Sequence, residues 1–448
     1  MLPSVRDLRQ EFRPMLGLAT PVVLAELGWM TMGMVDTLMV GRISPEAIGA
    51  VGLSTSLFMG ICIFAVGLLL GLDTLVSQAF GAGRIEECHR WLVHGSVLAL
   101  VLSVPVTLVL VWVSHALHSW GLTPAVADLA RPYLRALAWG VFPLLLYGAF
   151  RRYLQGMGVV RPVMLALFSA NLVNLFANWV LVYGKLGFPA MGVSGSAWAT
   201  VLARVMMAVW LLLTILRRDR DAEPSLFSTL RLDMSWFRRL LALGTPAATQ
   251  ITLEVGAFAA ATALAGRLPA AALAAHQIAL NYASLTFMVP LGIASAAAVR
   301  VGHAVGRRDP AAASRAGWTA LLFAVTFMSA AAVVFLSLPR LLISAFTTDA
   351  GVLGVGVTLL FVAAVFQLFD GVQGVATGAL RGLGETRTPM VWNLIGHWVV
   401  GLPVGYWLCF GAGFGVIGLW WGLSLGLIIC GAVLLTAWGR RVREFATG

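Results

Sequence analysis

Residues 92–113 read LVHGSVLALVLSVPVTLVLVWV, an uninterrupted stretch without Asp, Glu, Lys or Arg. An α-helix rises about 1.5 Å per residue, so roughly 20 apolar residues cross the ~30 Å hydrocarbon core of a bilayer. This stretch is therefore long enough to span a membrane as one helix. Similar stretches recur along the chain, which predicts a protein that crosses the membrane many times.

The composition of the 448-residue chain agrees with this prediction. Hydrophobic residues make up 60% and charged residues 11%, whereas a globular protein has about 25% charged residues. The mean hydropathy is +0.90. The breaks between apolar stretches define twelve predicted spans, near 15–40, 49–79, 92–113, 129–150, 162–183, 192–216, 239–266, 270–299, 316–338, 355–380, 389–411 and 416–438. The predicted fold class is all-α, with twelve transmembrane helices.

The net charge of +11 comes from arginines that lie between the spans rather than along one face. The tail and the loops after even-numbered spans carry 23 Arg residues, and the opposite loops carry 6 Lys or Arg. Cytoplasmic loops are enriched in Lys and Arg, so both termini are predicted in the cytoplasm. This distribution does not indicate nucleic-acid binding. The four cysteines lack CxxC spacing, and so indicate neither a redox motif nor a zinc site.

The chain also repeats itself. LGLATP at 16–21 returns as LALGTP at 241–246, and other pairs of segments share the same offset. Because each repeat contains six spans, the halves are predicted to share one orientation, related by a pseudo-twofold axis along the membrane normal. The predicted domains are an N-terminal six-helix lobe (1–216), a cytoplasmic linker (217–238) and a C-terminal six-helix lobe (239–448). Parallel repeats of this kind are typical of transporters with a site at the repeat interface, although gene duplication without alternating access remains an alternative.

Five acidic residues lie inside predicted spans: Glu26, Asp36, Asp73, Glu254 and Asp370. A charged group at the centre of a transmembrane helix costs about 2.5–3.5 kcal/mol on insertion scales, so such residues are candidates for function. The repeat does not place an acid at the positions that match Glu254, Asp36 or Asp370. These acids are therefore an asymmetric addition to a symmetric scaffold.

Glu254 and Asp370 are the candidate cation site of the C-terminal lobe. Gln277 and Asn281 are four residues apart, and so share one helix face as candidate coupling or substrate residues. Two carboxylates that converge with amide oxygens can bind Na⁺, or can share a proton because like charges repel. The alternative is two unrelated protonated acids. Further amides near the two acids are Gln250, Gln367 and Gln373.

Asp36 is the corresponding candidate in the N-terminal lobe. Asn171, Asn174 and Asn178 are spaced by three and four residues, and so form one polar stripe on the fifth span. A carboxylate that faces such a stripe suits a cation or a protonation switch. Hydrogen bonding between helices alone is the other interpretation.

Five segments resemble the multidrug and toxic compound extrusion (MATE) family, in its NorM-type branch. They are MVDTLMVGR (34–42), SQAFGAGR (77–84), LEVGAF (253–258), AAHQIALNYASLTFMVPLGIASAAAVRVGHAVG (274–306) and FQLFDGVQGVATGALRGLG (366–384). The resemblance extends over nearly the whole chain. It implies export of cationic amphiphilic compounds in exchange for inward Na⁺ or H⁺. It also implies that Glu254 and Asp370 form the second-lobe cation site, and that Asp36, Asn174 and Asn178 form the first-lobe site.

One position departs from the NorM-type pattern. Phe366 stands where that pattern often has Tyr, so a phenol ligand four residues before Asp370 is missing. The departure makes H⁺ coupling more plausible than Na⁺ coupling.

The expected function is a multidrug antiporter that works by alternating access in a bacterial inner membrane. The protein is expected to be a monomer in contact with membrane lipid, without a cofactor other than the coupling ion. A flippase for lipid-linked intermediates is the alternative, disfavoured because five acids and one internal arginine, Arg204, oppose an anionic cargo. An enzyme is not expected, because neither HExxH nor a paired-acid Mg²⁺ motif occurs.

Overall fold

A computed structural model describes residues 5–219, 225–226 and 231–447, with side chains from residue 7 onward. The described chain is almost entirely helical. Its helices are α1 (Val5–Val40), α2 (Pro45–Leu68), α3 (Gly71–Gly81), α4 (Ile85–Ala116), α5 (Pro124–Ala138), α6 (Val141–Gly156), α7 (Arg161–Tyr183), α8 (Val193–Asp219), α9 (Met234–Ala265), α10 (Ala270–Gly306), α11 (Pro310–Ser337), α12 (Pro339–Ser344), α13 (Ala350–Leu383), α14 (Arg387–Asn393), α15 (Leu402–Tyr406) and α16 (Gly415–Thr447). A short 3₁₀ turn, Leu117–Trp120, follows α4.

The predicted all-α membrane fold is confirmed. Within the described residues, eleven helical stretches are long and apolar enough to cross a membrane, or twelve if α5 and α6 form one bent span. That pair corresponds to the predicted span 129–150, and it bends by 46°. Pro143 explains the bend, because a proline cannot donate to the carbonyl four residues earlier and its ring clashes with that carbonyl.

The predicted span 389–411 is a single stretch with two wide turns. Leu394–Gly401 and Trp407–Gly411 form π-helix on either side of α15. Pro403 lies within α15, and its missing N–H removes one helical hydrogen bond. The wider turns accommodate that loss without breaking the span.

The N-terminal unit comprises Leu24–Ala248. Its core is a continuous cluster of apolar side chains, in which Phe58, Leu110 and Tyr133 are fully buried. The C-terminal unit comprises Met1–Val23 together with Thr249–Gly448. Phe366, Leu359 and Trp420 belong to its core.

These units begin and end elsewhere than the predicted lobes. In the N-terminal unit, a Cβ added to Gly67 would lie 2.5 Å from the Cα of Ala248, so α9 packs tightly on α2 at this point. In the C-terminal unit, a Cβ added to Gly292 would lie 2.7 Å from the Cα of Val23. The positions in the two contacts are related by the offset of the sequence repeat. Corresponding turns of α1 and α9 therefore pack equivalently, each with a helix of the other repeat.

The predicted linker, 217–238, is only partly described. Residues 220–224 and 227–230 lie outside the described residues. The flanking parts are helical, since α8 continues to Asp219 and α9 begins at Met234. The Asp219 carboxylate accepts hydrogen bonds from the Ser225 hydroxyl (3.0 Å) and the Leu226 backbone N–H (2.6 Å).

Candidate functional site

Asp36 lies in the N-terminal unit, surrounded by neutral hydrogen-bond donors. The Asn174 and Asn178 amides donate to its Oδ1 at 3.0 and 2.8 Å, and the Thr200 hydroxyl donates to its Oδ2 at 2.5 Å. All four side chains are buried. The structure therefore brings together the predicted carboxylate and two members of the predicted Asn stripe.

Helix geometry positions these donors. Asn174 and Asn178 are one turn apart on α7, and the Asn178 amide also donates to the Asn174 carbonyl at 3.0 Å. Near the end of α1, the Tyr183 hydroxyl donates to the Met39 carbonyl at 2.6 Å, which ties α7 to α1 close to Asp36. The third predicted member of the stripe, Asn171, instead donates to the Gly28 carbonyl at 2.9 Å. It therefore joins the two helices rather than binding the carboxylate.

Thr200 and Arg204 were not predicted as site residues. They are one turn apart on α8, and Asp36 and Arg204 are close enough to interact electrostatically. The buried Arg204 guanidinium lies over the Phe58 ring, 4.3 Å from its centroid. Its Nε and Nη1 have no hydrogen-bond partner within the described residues. The Asp36 site thus contains an internal cation that makes a cation–π contact.

Glu254 and Asp370 lie together in the C-terminal unit. The Gln250 and Gln373 amides donate to Glu254 Oε2 at 3.0 and 3.2 Å. Asp370 is 6% exposed and interacts electrostatically with Glu254. No side chain in the described part of the chain forms a hydrogen bond or ion pair with Asp370. The predicted pairing of the two acids is therefore present, without a cationic side chain to neutralise it.

The surroundings of this pair contain further amide groups. The buried Oε1 atoms of Gln367 and Gln373, on either side of Asp370 along α13, have no hydrogen-bond partner within the described residues. The Gln373 amide also lies 3.5 Å from Asn393 Oδ1. Asn393 was not predicted, because the sequence gives no sign that the end of α14 lies beside Gln373. Carboxylate and amide oxygens are ligands for a hard cation, and can also accept a hydrogen bond from a protonated acid.

Gln277 and Asn281 do not take part in this network. Both are exposed on α10, and neither forms a hydrogen bond with the acids among the described residues. Their role in coupling or substrate binding stays a prediction.

The remaining two acids inside the spans have arginine partners. The buried carboxylate of Glu26 forms an ion pair with Arg151. Asp73, also buried, forms one with Arg152 at 3.1 Å. Both arginines are among the 23 counted above with the tail and the loops after even-numbered spans. Their placement in a loop was wrong, because they lie within α6. These two acids are neutralised inside the protein, and so differ from the other three.

Phe366 is surrounded by apolar groups. Its ring lies 5.5 Å from that of Trp420, and the Trp420 indole donates to His276 Nδ1 at 2.9 Å. Phe366, four residues before Asp370, thus contributes packing and no oxygen ligand. Within the described ranges, no group of three or more His, Cys, Asp and Glu side chains is arranged to hold a metal ion. A cation at Glu254 and Asp370 would therefore need amide oxygens as additional ligands.

Two stretches of the chain match the same protein family. The MatE family profile matches residues 21–180 and again residues 246–407, and the starts of these stretches are related by the offset of the repeat. The chain is a member of the MatE family. This assignment confirms the predicted resemblance, and the double match agrees with the predicted repeat.

Full-length relatives support the assignment to MatE. The chain is 40% identical to a protein named probable multidrug resistance protein NorM of Mesorhizobium japonicum, over 97% of this chain and 95% of that protein. It is 36% identical to the multidrug resistance protein NorM of Burkholderia vietnamiensis, over 94% of this chain and 92% of that protein.

Solved structures show that the MatE member has the fold of MATE transporters. The eukaryotic MATE transporter AtDTX14 matches with a TM-score of 0.88 at 21% identity, covering 98% of this chain and 99% of that one. A MATE protein crystallised in the bent conformation matches with a TM-score of 0.89 at 22% identity, covering 99% and 98%.

Proposed function

We propose that this MatE protein is a multidrug efflux antiporter. It exports cationic amphiphilic compounds across a bacterial inner membrane by alternating access, in exchange for inward H⁺ or Na⁺. The likeness to relatives named NorM multidrug resistance proteins supports the class of function. The arginine bias of the loops supports cytoplasmic termini.

One observation carries this proposal: the acids inside the spans differ in how they are neutralised. Glu26 and Asp73 have arginine partners, whereas Glu254 and Asp370 have none among the described residues. An uncompensated buried charge is strongly unfavourable, so this pair requires an external cation or a proton. Ion coupling requires a site that binds and releases a cation, and this pair of acids meets that requirement.

The available ligands support H⁺ as the coupling ion. Na⁺ needs several oxygen ligands, and Phe366 supplies none. A proton on Asp370 needs only an acceptor, and the free amide oxygens of Gln367 and Gln373 lie one turn to either side. We therefore favour H⁺. Inward movement of one charge at 100 mV supplies about 2.3 kcal/mol, which can drive export of a cationic drug.

Asp36 is the second element of the proposed mechanism. Its carboxylate accepts three hydrogen bonds from neutral groups, an arrangement that suits the ionised form. We propose that this ionised group attracts the cationic compound, and that protonation releases it. The change of Asp36 between its ionised, drug-binding form and its protonated, drug-releasing form then links drug export to ion entry.

A flippase for lipid-linked intermediates remains the competing function. An anionic headgroup would be repelled by the ionised Asp36 carboxylate, which disfavours this alternative. The ion-paired acids Glu26 and Asp73 do not enter this argument, because their arginines neutralise them.

The test uses purified protein in proteoliposomes, with a pH gradient or a Na⁺ gradient imposed separately. Efflux of ethidium under the pH gradient in Na⁺-free buffer is the expected result. Efflux that requires Na⁺ would refute the proton preference and leave the antiporter standing. No drug movement under either gradient would contradict the antiporter and favour the flippase.

A further inference from the structure

A groove of about 480 Å³ lies in the C-terminal unit, between α9 and the segment that contains the two π-helical turns. Ala260, Ala263 and Arg267 line it from the α9 side. Trp398, Leu402 and Tyr406 line the opposite side. This groove is separate from Glu254 and Asp370, neither of which lines it.

Local sequence explains why the groove exists. Ala260 and Ala263 have small side chains, which leave space along α9. Trp398 lies in the first π-helical turn, and its indole donates to the Leu253 carbonyl at 2.9 Å, which fixes the wall opposite the alanines. Pro403 keeps the rest of that wall in its irregular helical form. The groove is therefore built by packing and by the kinked helix.

The charge of the groove is unusual for an apolar surface. Arg267 is exposed just beyond the end of α9. Its guanidinium group forms no ion pair or hydrogen bond with any other described residue. No acidic residue lines the groove. The lining of the groove thus contains a single guanidinium group and two aromatic side chains, and is otherwise apolar.

These features define the chemistry of the occupant. The helices that form the groove are apolar and long enough to cross a membrane, so the groove lies at a depth that acyl chains can reach. Arginine binds phosphate through planar, directed N–H donors. Trp and Tyr are typical of the membrane interface. A molecule with an anionic head and an apolar tail satisfies all three features.

We propose that this groove binds an acidic phospholipid of the surrounding membrane. The headgroup phosphate pairs with Arg267, and an acyl chain lies along Ala260 and Ala263 against Trp398. Basic pockets between transmembrane helices are known to select anionic lipid headgroups. A free phosphate would gain nothing from the apolar walls, so the lipid rather than inorganic phosphate is the ligand.

The test measures lipid retention by native mass spectrometry of the full-length protein in detergent. Phosphatidylglycerol and phosphatidylcholine with identical chains are titrated separately. We expect wild type to bind phosphatidylglycerol more tightly, and Arg267→Gln to lose roughly tenfold in affinity, about 1.4 kcal/mol. Arg340→Gln is the matched control, since Arg340 is another exposed arginine of the C-terminal unit that does not line the groove. This control should bind like wild type.

A second variant tests the apolar part. Ala263→Trp fills the groove without changing charge, and should lower phosphatidylglycerol binding as much as Arg267→Gln does. Equal affinity of wild type and Arg267→Gln, or equal binding of the two lipids by wild type, would overturn the proposal. So would wild-type binding by Ala263→Trp, or competition by inorganic phosphate at the affinity of the lipid. Because the readout is binding, it does not depend on the proposed antiport.

Discussion

The two candidate sites solve the problem of a buried carboxylate in different ways. Asp36 accepts hydrogen bonds from three donors, which together reach both of its oxygens, and Arg204 is nearby on α8. Glu254 receives its two hydrogen bonds on one oxygen, and Asp370 receives none from the described residues. The first site is complete as an ionised group, whereas the second has two acids and too few donors. This difference supports the proposal that Glu254 and Asp370 take up the coupling ion.

The largest effect is expected from neutralising the second site. Glu254→Gln or Asp370→Asn removes one of the two charges that require a cation, so drug binding should persist while export against a gradient falls more than tenfold. Efflux from proteoliposomes under a pH gradient measures this. Asp128→Asn is the matched control, because the Asp128 side chain is 71% exposed and its one ion pair among the described residues is with His118. Export at the wild-type rate by both Glu254→Gln and Asp370→Asn would contradict the proposal that this pair of acids takes up the coupling ion.

Asp36→Asn should abolish drug resistance in cells, for a different reason. The substitution keeps one acceptor oxygen but removes the charge that we assign to attraction of the cationic compound. Expression and folding should stay normal, because an amide can still bond with Asn174 and Thr200. The measurement is the minimum inhibitory concentration of ethidium, with membrane protein levels compared by blotting. Full resistance at equal expression would assign Asp36 to hydrogen bonding between helices.

A smaller change tests whether Asp36 needs all three of its hydrogen-bond donors. Thr200→Val deletes a single donor to Asp36 and nearly preserves side-chain volume. A hydrogen bond to a charged group contributes about 1.5–3 kcal/mol, so efflux should fall by roughly tenfold or more. Thr326→Val is the control, since Thr326 is exposed and its hydroxyl donates to the Leu322 carbonyl of its own helix at 2.8 Å, with no other partner among the described residues. Unchanged efflux in Thr200→Val would mean that the donors around Asp36 are redundant.

The smallest expected effect is on the response of drug efflux to Na⁺. Phe366→Tyr adds a hydroxyl four residues before Asp370, which provides an oxygen where the structure has only packing against Trp420. We expect Na⁺ to stimulate drug efflux by roughly two- to threefold in this variant, equivalent to less than about 1 kcal/mol. Wild type should respond little. Strong Na⁺ stimulation of wild type, equal to that of Phe366→Tyr, would contradict the proton preference.

The sequence predicted the span positions because apolar length and helix period are local properties. The spacings of three and four predicted that Asn171, Asn174 and Asn178 share one helix face. The resemblance to the MATE family selected Asn174 and Asn178 as the partners of Asp36. Thr200 was missed, because hydroxyl residues are frequent in spans and carry no distinguishing pattern.

Other features depend on packing between distant segments. Arg151 was assigned to a loop because charge alone does not distinguish a loop cation from a buried partner of Glu26. Asn393 was missed because its place beside Gln373 depends on the packing of α14 against neighbouring helices. The bend at 139–140 follows from Pro143, but its angle depends on how the flanking helices pack. These are tertiary effects, which a hydropathy pattern does not contain.

The boundaries between the two compact units fall within α1 and within α9, which has a consequence for biosynthesis. Ribosomes release Met1–Val23 long before Thr249–Gly448, the stretch with which it forms one compact unit. The N-terminal unit, in contrast, is complete only once Ala248 has left the ribosome. A gene divided at the 217–238 segment would therefore produce two fragments that each lack a segment of their own compact unit. A division after Ala248 would leave the N-terminal unit whole, while the later unit would still need Met1–Val23 from the other polypeptide.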